Sequence, residues 1–196
     1  MYIGFDIGGT KTEIIVLDAD GQTHFKKRIA TVHHYAEFIN NIHSLVTEAE
    51  LAVGCTCSVG IGLPGVVDPK TMQIKNANCV FLNGHNLHQD LYVLLNRKVY
   101  IANDANCFAL SEAVDGAAKG KQVVFGVIIG TGCGGGIVIN QQIIQGLNAN
   151  AGEWGHNPLP AYSLINDGDA PVCFCGGKHC LEHFISGTGF TRQYNQ

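Results

Sequence analysis

The sequence predicts an α/β fold of two lobes, and three observations carry that reading. Strand-like apolar runs alternate with stretches of helical periodicity. A strand–glycine turn–strand unit heads each half, "GFDIGGTKTEIIVL" beside "GVIIGTGCGGGIVI". With 46% of its 196 residues hydrophobic, the chain can bury a substantial core. The pattern restarts near Asp115–Lys121, which divides the chain into residues 1–116 and 117–196. This near-repetition suggests an internal duplication with two α/β lobes facing each other. A ligand is then expected in the cleft where both glycine turns point.

The opening, from Tyr2 to Ile29, reads as strand, glycine turn, strand, Asp-Gly turn, strand. Tyr35, Phe38, Ile39, Ile42, Leu45, Val46 and Ala49 then recur at helical spacing, and Gly54 follows as a stop. "SVGIGLPG" is a short buried strand ending in a glycine-proline loop. "LHQDLYVLLN" puts Leu87, Leu91, Leu94 and Leu95 on one helical face. "VYIAND" is a strand that delivers Asn103 and Asp104 to the start of the helix "ANCFALSEAV". After the restart, "VVFGVIIGTGCGGGIVIN" is again strand, glycine turn, strand.

Charge narrows the function classes. Twelve basic against 16 acidic residues give a net charge of −4, with no Lys/Arg run, so neither a nucleic-acid nor an anionic-membrane partner is expected. The start lacks the basic and apolar regions of a secretion signal, and no run of about 18 apolar residues occurs. A cytoplasmic location follows as the expectation. In a reducing compartment the eight cysteines should be thiols. Cys79, Cys107 and Cys133 read as small apolar packing residues, and Cys55 and Cys57, with no third ligand nearby, as structural.

Five motifs carry chemistry. "DIGGTK", Asp6 to Lys11, offers small residues whose amides can approach a phosphate, a Thr10 hydroxyl and the Lys11 charge. Asp6 beside a phosphate is repulsive unless Mg²⁺ intervenes, so a magnesium held through water is expected there. "GTGCGGG", Gly130 to Gly136, has five glycines in seven positions, a density that close approach of a nucleotide would explain. "NDAN" puts Asp104 at a strand-to-helix junction, where it reads either as a helix cap or as the base of a phosphoryl transfer. Glu153 and His156 of "GEWGH" suit hydrogen bonds to a polyol. Cys173, Cys175 and Cys180 form C-x-C-x4-C around a glycine turn, a zinc pattern that lacks a fourth ligand. His179 adjoins Cys180 and is disfavoured as that ligand; spacing leaves His156 and His183 open.

"DIGGTK", "GIGLPG", "NDANCFALSEA", "GTGCGGG", "GEWGH" and "CFCGGKHCLE" occur in this order, and the chain resembles the ROK family of sugar kinases and sugar-responsive repressors from Tyr2 to about Tyr194. "KNANCVFLNG", "SEAVDGAAKG" and "AGEWGHNPLP" look most like the bacterial fructokinase branch. The resemblance implies an actin-like, ribonuclease-H-like fold of two lobes, with ATP, Mg²⁺ and Zn²⁺ as cofactors. It makes Asp104 the base, with Asn103, Asp104, Glu153, His156 and Glu182 on the sugar. Gly4, Asp6, Gly8, Gly9, Thr10 and Lys11, with Thr131, Gly132, Gly134, Gly135 and Gly136, become the nucleotide-binding residues. His156 joins Cys173, Cys175 and Cys180 as the zinc ligand. The expected reaction is fructose to fructose 6-phosphate, with glucose, mannose or N-acetylglucosamine as alternative substrates and a non-catalytic sugar sensor as the alternative class. The sensors carry N-terminal DNA-binding helices, for which a first phosphate strand beginning at Tyr2 is expected to leave no room. Family members continue beyond residue 196, so the second lobe is expected to be incomplete and its uncovered apolar surface to favour a homodimer. His179 stands where the family has glycine; if that turn takes positive φ, histidine is tolerated there less easily than glycine but is not excluded.

Overall fold

The computed structural model describes residues 1–195. The chain forms two compact units, Met1–Asp104 and Ala105 onward. The first contains β1 (Tyr2–Ile7), β2 (Lys11–Leu17), β3 (Thr23–Ala30), α1 (Tyr35–Val53), β4 (Ser58–Leu63), the short β5 (Val66–Val67) and β6 (Ile74–Lys75), α2 (Leu87–Leu95) and β7 (Val99–Asn103). Its main sheet has the order β3-β2-β1-β4-β7. β1, β2 and β3 are antiparallel, as "strand, turn, strand, turn, strand" requires, whereas β4 and β7 continue in parallel with β1.

Alternation explains why one sheet face is dry. Ile3, Phe5 and Ile7 on β1, Ile14 and Val16 on β2, and Val59, Ile61 and Leu63 on β4 are buried together with Phe38, Ile42, Leu45, Val46 and Ala49 of α1 and Leu87 and Leu91 of α2. The helical spacing read from Tyr35 to Ala49 is this buried stripe. α1 ends at Gly54, whose φ of 71° lets its N–H reach the Glu50 carbonyl. Cys57 and Cys79 belong to the same core.

The second unit has α3 (Asp104–Val114), β8 (Val123–Ile129), β9 (Cys133–Ile139), β10 (Gln142–Ile143), α4 (Leu164–Asp167), α5 (Glu182–Ile185) and α6 (Gly187–Tyr194). Among the described residues its sheet is antiparallel, in the order β10-β9-β8. All of α3 after Asp104 lies in this unit, so the division falls twelve residues before the 116/117 boundary read from sequence. The reason is packing: Ala109 and Ala113 form a small core with Val124 and Val138. No helix among the described residues is long and apolar enough to cross a membrane.

Candidate functional site

In the first unit the parallel strands bring their carboxyl ends to one edge. Asp6 pairs in register with Gly62, and Leu63 with Asn103, so the end of β1 and the end of β7 flank a glycine-bearing β4. Open α/β sheets bind ligands outside such strand ends. The Asn103 amide donates to the Gly65 carbonyl at 3.1 Å, tying the end of β7 to the glycine-proline loop. Asp104 follows as the first residue of α3. Asp6 is solvent-accessible, yet partial desolvation, then the charges of Asp104 and Glu13, raise its carboxyl above the ordinary value against the weaker pull of Arg28. A carboxyl held back from ionising by a neighbouring carboxylate at a strand edge suits a divalent cation.

The first glycine turn closes with the Gly8 N–H donating to the Lys11 carbonyl at 2.9 Å. Thr31, just beyond β3, holds it from the side: its hydroxyl donates to the Gly8 carbonyl at 2.7 Å and its N–H to the Thr10 carbonyl at 3.0 Å. The Thr12 hydroxyl lies 3.0 Å from that of Thr31, with both residues buried. Gly8, Gly9, Thr10 and Lys11 thus form one braced turn beside Asp6. Gly4 lies within β1, three residues before the turn.

The second glycine stretch has two roles rather than one. Only Gly130, Thr131 and Gly132 connect the strands; Gly134, Gly135 and Gly136 lie within β9. A Cβ on Gly136 would sit 2.7 Å from both the Ala105 carbonyl and the Ala109 side chain, and one on Gly135 would sit 2.6 Å from the Gly126 carbonyl and 3.1 Å from the Trp154 ring. At these two positions the glycine density also serves the close seating of α3 and of the loop carrying Trp154. That loop is fixed by the indole N–H, which donates to the Gly134 carbonyl at 2.6 Å. It turns through a short 3-10 segment, Trp154–His156, that begins at Glu153.

His156, Cys173, Cys175 and Cys180 converge, their ligand atoms all within 4.8 Å of one another. Cys173 Sγ is 3.4 Å from His156 Nδ1, and Cys175 Sγ is 3.6 Å from Cys180 Sγ. A tetrahedral ion with bonds of about 2.1–2.3 Å spaces its ligand atoms roughly 3.4–3.8 Å apart, so the cluster fits zinc in size and in donor set. The Gly177 N–H points at Cys175 Sγ and lowers its thiol, whereas burial and the neighbouring thiols push Cys180 up to about 12. These sulfurs become thiolates together only with a cation among them. His183, left open by spacing, is outside the cluster, and its Nε2 is buried without a partner among the described residues. His179 adopts φ 55°, so the turn does take the positive φ that the family's glycine suggested. A ring stacked on Tyr162 at 3.7 Å accompanies it.

Glu182 opens α5 two positions after the last cysteine, and its carboxylate accepts the Cys133 N–H at 2.8 Å. Sequence reasoning missed Thr31 and Thr188, which grip the two glycine turns from distant segments, and Ser186, which bonds the Thr188 hydroxyl. A Ser-Gly-Thr-Gly stretch at the start of α6 was the available signal.

The family model described as "ROK family" matches residues 2–196. An N-acetyl-D-glucosamine kinase of Pectobacterium carotovorum is 45% identical over 198 aligned residues, covering 99% of this chain and 65% of the relative. The chain therefore spans about two thirds of that relative's length. A ROK hexokinase from Thermus thermophilus superimposes with a TM-score of 0.84 at 28% identity, over 99% of this chain and 63% of that one. A ROK family glucokinase from Streptomyces griseus, solved with glucose and AMPPNP, gives 0.77 at 31% identity, over 97% and 59%. The fructokinase likeness read from sequence gives way to the N-acetyl-D-glucosamine kinase relationship. Two of its three motifs carry structural duties that leave the sugar unspecified. In "KNANCVFLNG" the Asn83 amide accepts from the Ala77 N–H and donates to its carbonyl, and in "SEAVDGAAKG" Glu112 accepts the Ala117 N–H.

Proposed function

The chain belongs to the ROK family, and from that premise we propose ATP-dependent phosphorylation of a hexose as its activity, with N-acetyl-D-glucosamine as the hexose. Its mixed α/β fold is the family's actin-like ATPase fold, of which these 196 residues form a part. The observation that carries the substrate is the 45% identity to an N-acetyl-D-glucosamine kinase over 99% of the chain.

Asp104 acts as the base in this reading. At the end of β7, tied down through Asn103, it orients the attacking sugar hydroxyl and takes its proton as the phosphoryl group transfers. Such transfer asks mainly for positioning and charge neutralisation. Glu153, His156 and Glu182 hold sugar hydroxyls. Asp6 would hold Mg²⁺ through water, and the ion would neutralise charge on the phosphates. The turns at Gly8–Lys11 and Gly130–Gly132 receive the phosphates with backbone amides. His156, Cys173, Cys175 and Cys180 would hold a zinc ion that stiffens the loop. With Nδ1 on the metal side, the His156 ring keeps its other nitrogen for the sugar.

The test measures ADP release from Mg-ATP with N-acetylglucosamine, mannose, glucose and fructose in parallel, using Asp104→Asn as the blank. Turnover led by N-acetylglucosamine and lost in the blank is expected. Turnover led by another sugar overturns the substrate assignment, and equal turnover in Asp104→Asn removes that residue from the base role.

A further inference from the structure

The turn Gly130–Thr131–Gly132 can be accounted for group by group. The Gly130 N–H donates to the Gly132 carbonyl at 2.9 Å, closing the turn. The Gly130 carbonyl accepts the Gly187 N–H at 2.7 Å, and the Thr131 carbonyl accepts the Thr188 hydroxyl at 2.7 Å. The Cys133 N–H goes to Glu182. Two backbone groups remain, the amides of Thr131 and Gly132, and neither has a protein partner among the described residues. All peptides are trans, so each amide points opposite to the carbonyl of its own peptide unit. Both carbonyls are drawn to the first two residues of α6, so both amides are turned away from it, side by side.

Donor arithmetic fixes the direction of the brace. A carbonyl only accepts, so the single proton of Thr188 is committed to Thr131. The Ser186 hydroxyl, 3.0 Å from that of Thr188, must then donate to it. Ser186 in turn accepts the Gly189 N–H at 3.0 Å as the cap of α6. Ser186 is fully buried while Thr188 is exposed, so the chain of hydroxyls is anchored at its far end and reaches the turn at its surface end. The first turn repeats the device: Thr31 donates to the Gly8 carbonyl and must therefore accept from Thr12.

We propose that Thr188 is a positioning residue for phosphate binding: through the Ser186–Thr188–Thr131 hydroxyl chain it holds the Thr131 and Gly132 amides outward as a paired donor site for a tetrahedral oxyanion. The inference rests on the kinase reading, in which that oxyanion belongs to a nucleotide. A side chain that touches neither sugar nor base then sets the affinity of the turn for phosphate.

The test titrates the ¹⁵N-labelled full chain with Mg-ADP and compares Thr188→Val, which keeps the shape without the donor, with Thr188→Ser, which keeps the donor. The Thr131 and Gly132 amide resonances of the unsubstituted protein should move on titration. Thr188→Val should weaken binding about five- to tenfold and diminish those two shifts, Thr188→Ser should restore both, and N-acetylglucosamine affinity should stay level throughout. Thermal unfolding of Thr188→Ser should coincide with that of the unsubstituted protein within about 2 °C, whereas Thr188→Val, which leaves the buried Ser186 hydroxyl without its acceptor, should melt about 2–4 °C lower. Equal Mg-ADP affinity in Thr188→Val overturns the brace while leaving the kinase reading intact. Mg-ADP binding that leaves both amides unmoved overturns the turn as the anion site. Absence of binding to the unsubstituted chain overturns both readings.

Discussion

Glu182 and Cys133, forty-nine residues apart, are joined by a 2.8 Å hydrogen bond from the Cys133 backbone N–H to the Glu182 carboxylate. The bond links the first residue of α5, two positions after the last cysteine of the metal-ligand cluster, to the first residue of β9, where the second glycine turn ends. Glycine at 132 makes room for it, since a Cβ there would stand 2.5 Å from the same carboxylate oxygen. A residue assigned to the sugar thus also seals the turn assigned to the phosphates. Glu182→Gln keeps an oxygen to accept the amide but loses the charge, so sugar KM should rise about tenfold while nucleotide KM stays within about twofold. Glu182→Ala frees the Cys133 amide as well, and both KM values should rise together. Steady-state kinetics with each substrate varied separately read the difference.

Cysteine-to-metal coupling gives the second expectation. Cys175 is the exposed member of the four, held by the Gly177 N–H, so replacing it disturbs little apolar packing. Cys175→Ser should lower zinc content, measured by atomic emission after dialysis, and weaken N-acetylglucosamine binding with it, because His156 loses the ion that fixes its ring. Chelation of the unsubstituted protein should have the same effect, and zinc should reverse it. Undiminished sugar affinity in metal-free protein would separate the two functions.

How much of this was legible in the sequence depended on whether the cause was local. The stripe from Tyr35 to Ala49 with its Gly54 stop, the opening three strands and the C-x-C-x4-C turn are local patterns, and each appears as read. His156 joined the cysteines only through the family resemblance, since its distance in sequence carried no geometric information. The glycines at 135 and 136 have a packing cause that the sequence did not show, because the surfaces that crowd them, α3 and the Trp154 loop, come from elsewhere in the chain. Thr31, Ser186 and Thr188 left no periodic trace: a hydroxyl that reaches a distant carbonyl looks like any other Ser or Thr. The boundary at Asp104 was hidden for the same reason, because the small residues that seat α3 on the second sheet also suit an ordinary helix.

Tyr35 provides a test of the first unit alone. Its hydroxyl donates to Asp90 at 2.6 Å, and its ring stacks on His85 at 3.6 Å with an interplanar angle of 9°. The bond joins the first residue of α1 to α2, and burial followed by the Asp90 carboxylate raises the phenol far above its ordinary value. Tyr35→Phe keeps the stack and removes the bond, so unfolding free energy should fall by about 1 kcal/mol. Urea denaturation should show an earlier midpoint with an unchanged m-value. An unaltered midpoint would mean that water replaces the bond at no cost.

Asp6 should show function held at the expense of stability. Its carboxyl is raised by desolvation first, then by Asp104 and Glu13. A folded-state value above the unfolded one means that the native state binds the proton more tightly. Below the unfolded value both states are protonated and the group is neutral to folding. As pH rises through the raised value the native state must ionise a carboxyl that resists it, and stability is lost and stays lost at neutral pH. Asp6→Asn removes that cost. The variant should therefore melt roughly 1–3 °C higher than the unsubstituted protein at pH 7, with the difference shrinking toward zero near pH 3. Calorimetry across that range, without magnesium or nucleotide, reads the sign directly. Added Mg-ADP should reverse the order at pH 7, because only the carboxylate can recruit the ion whose binding stabilises the native state. A variant that melts lower than the unsubstituted protein in the absence of ligand would show that Asp6 is held by favourable bonds, and that its raised value is not a stored cost.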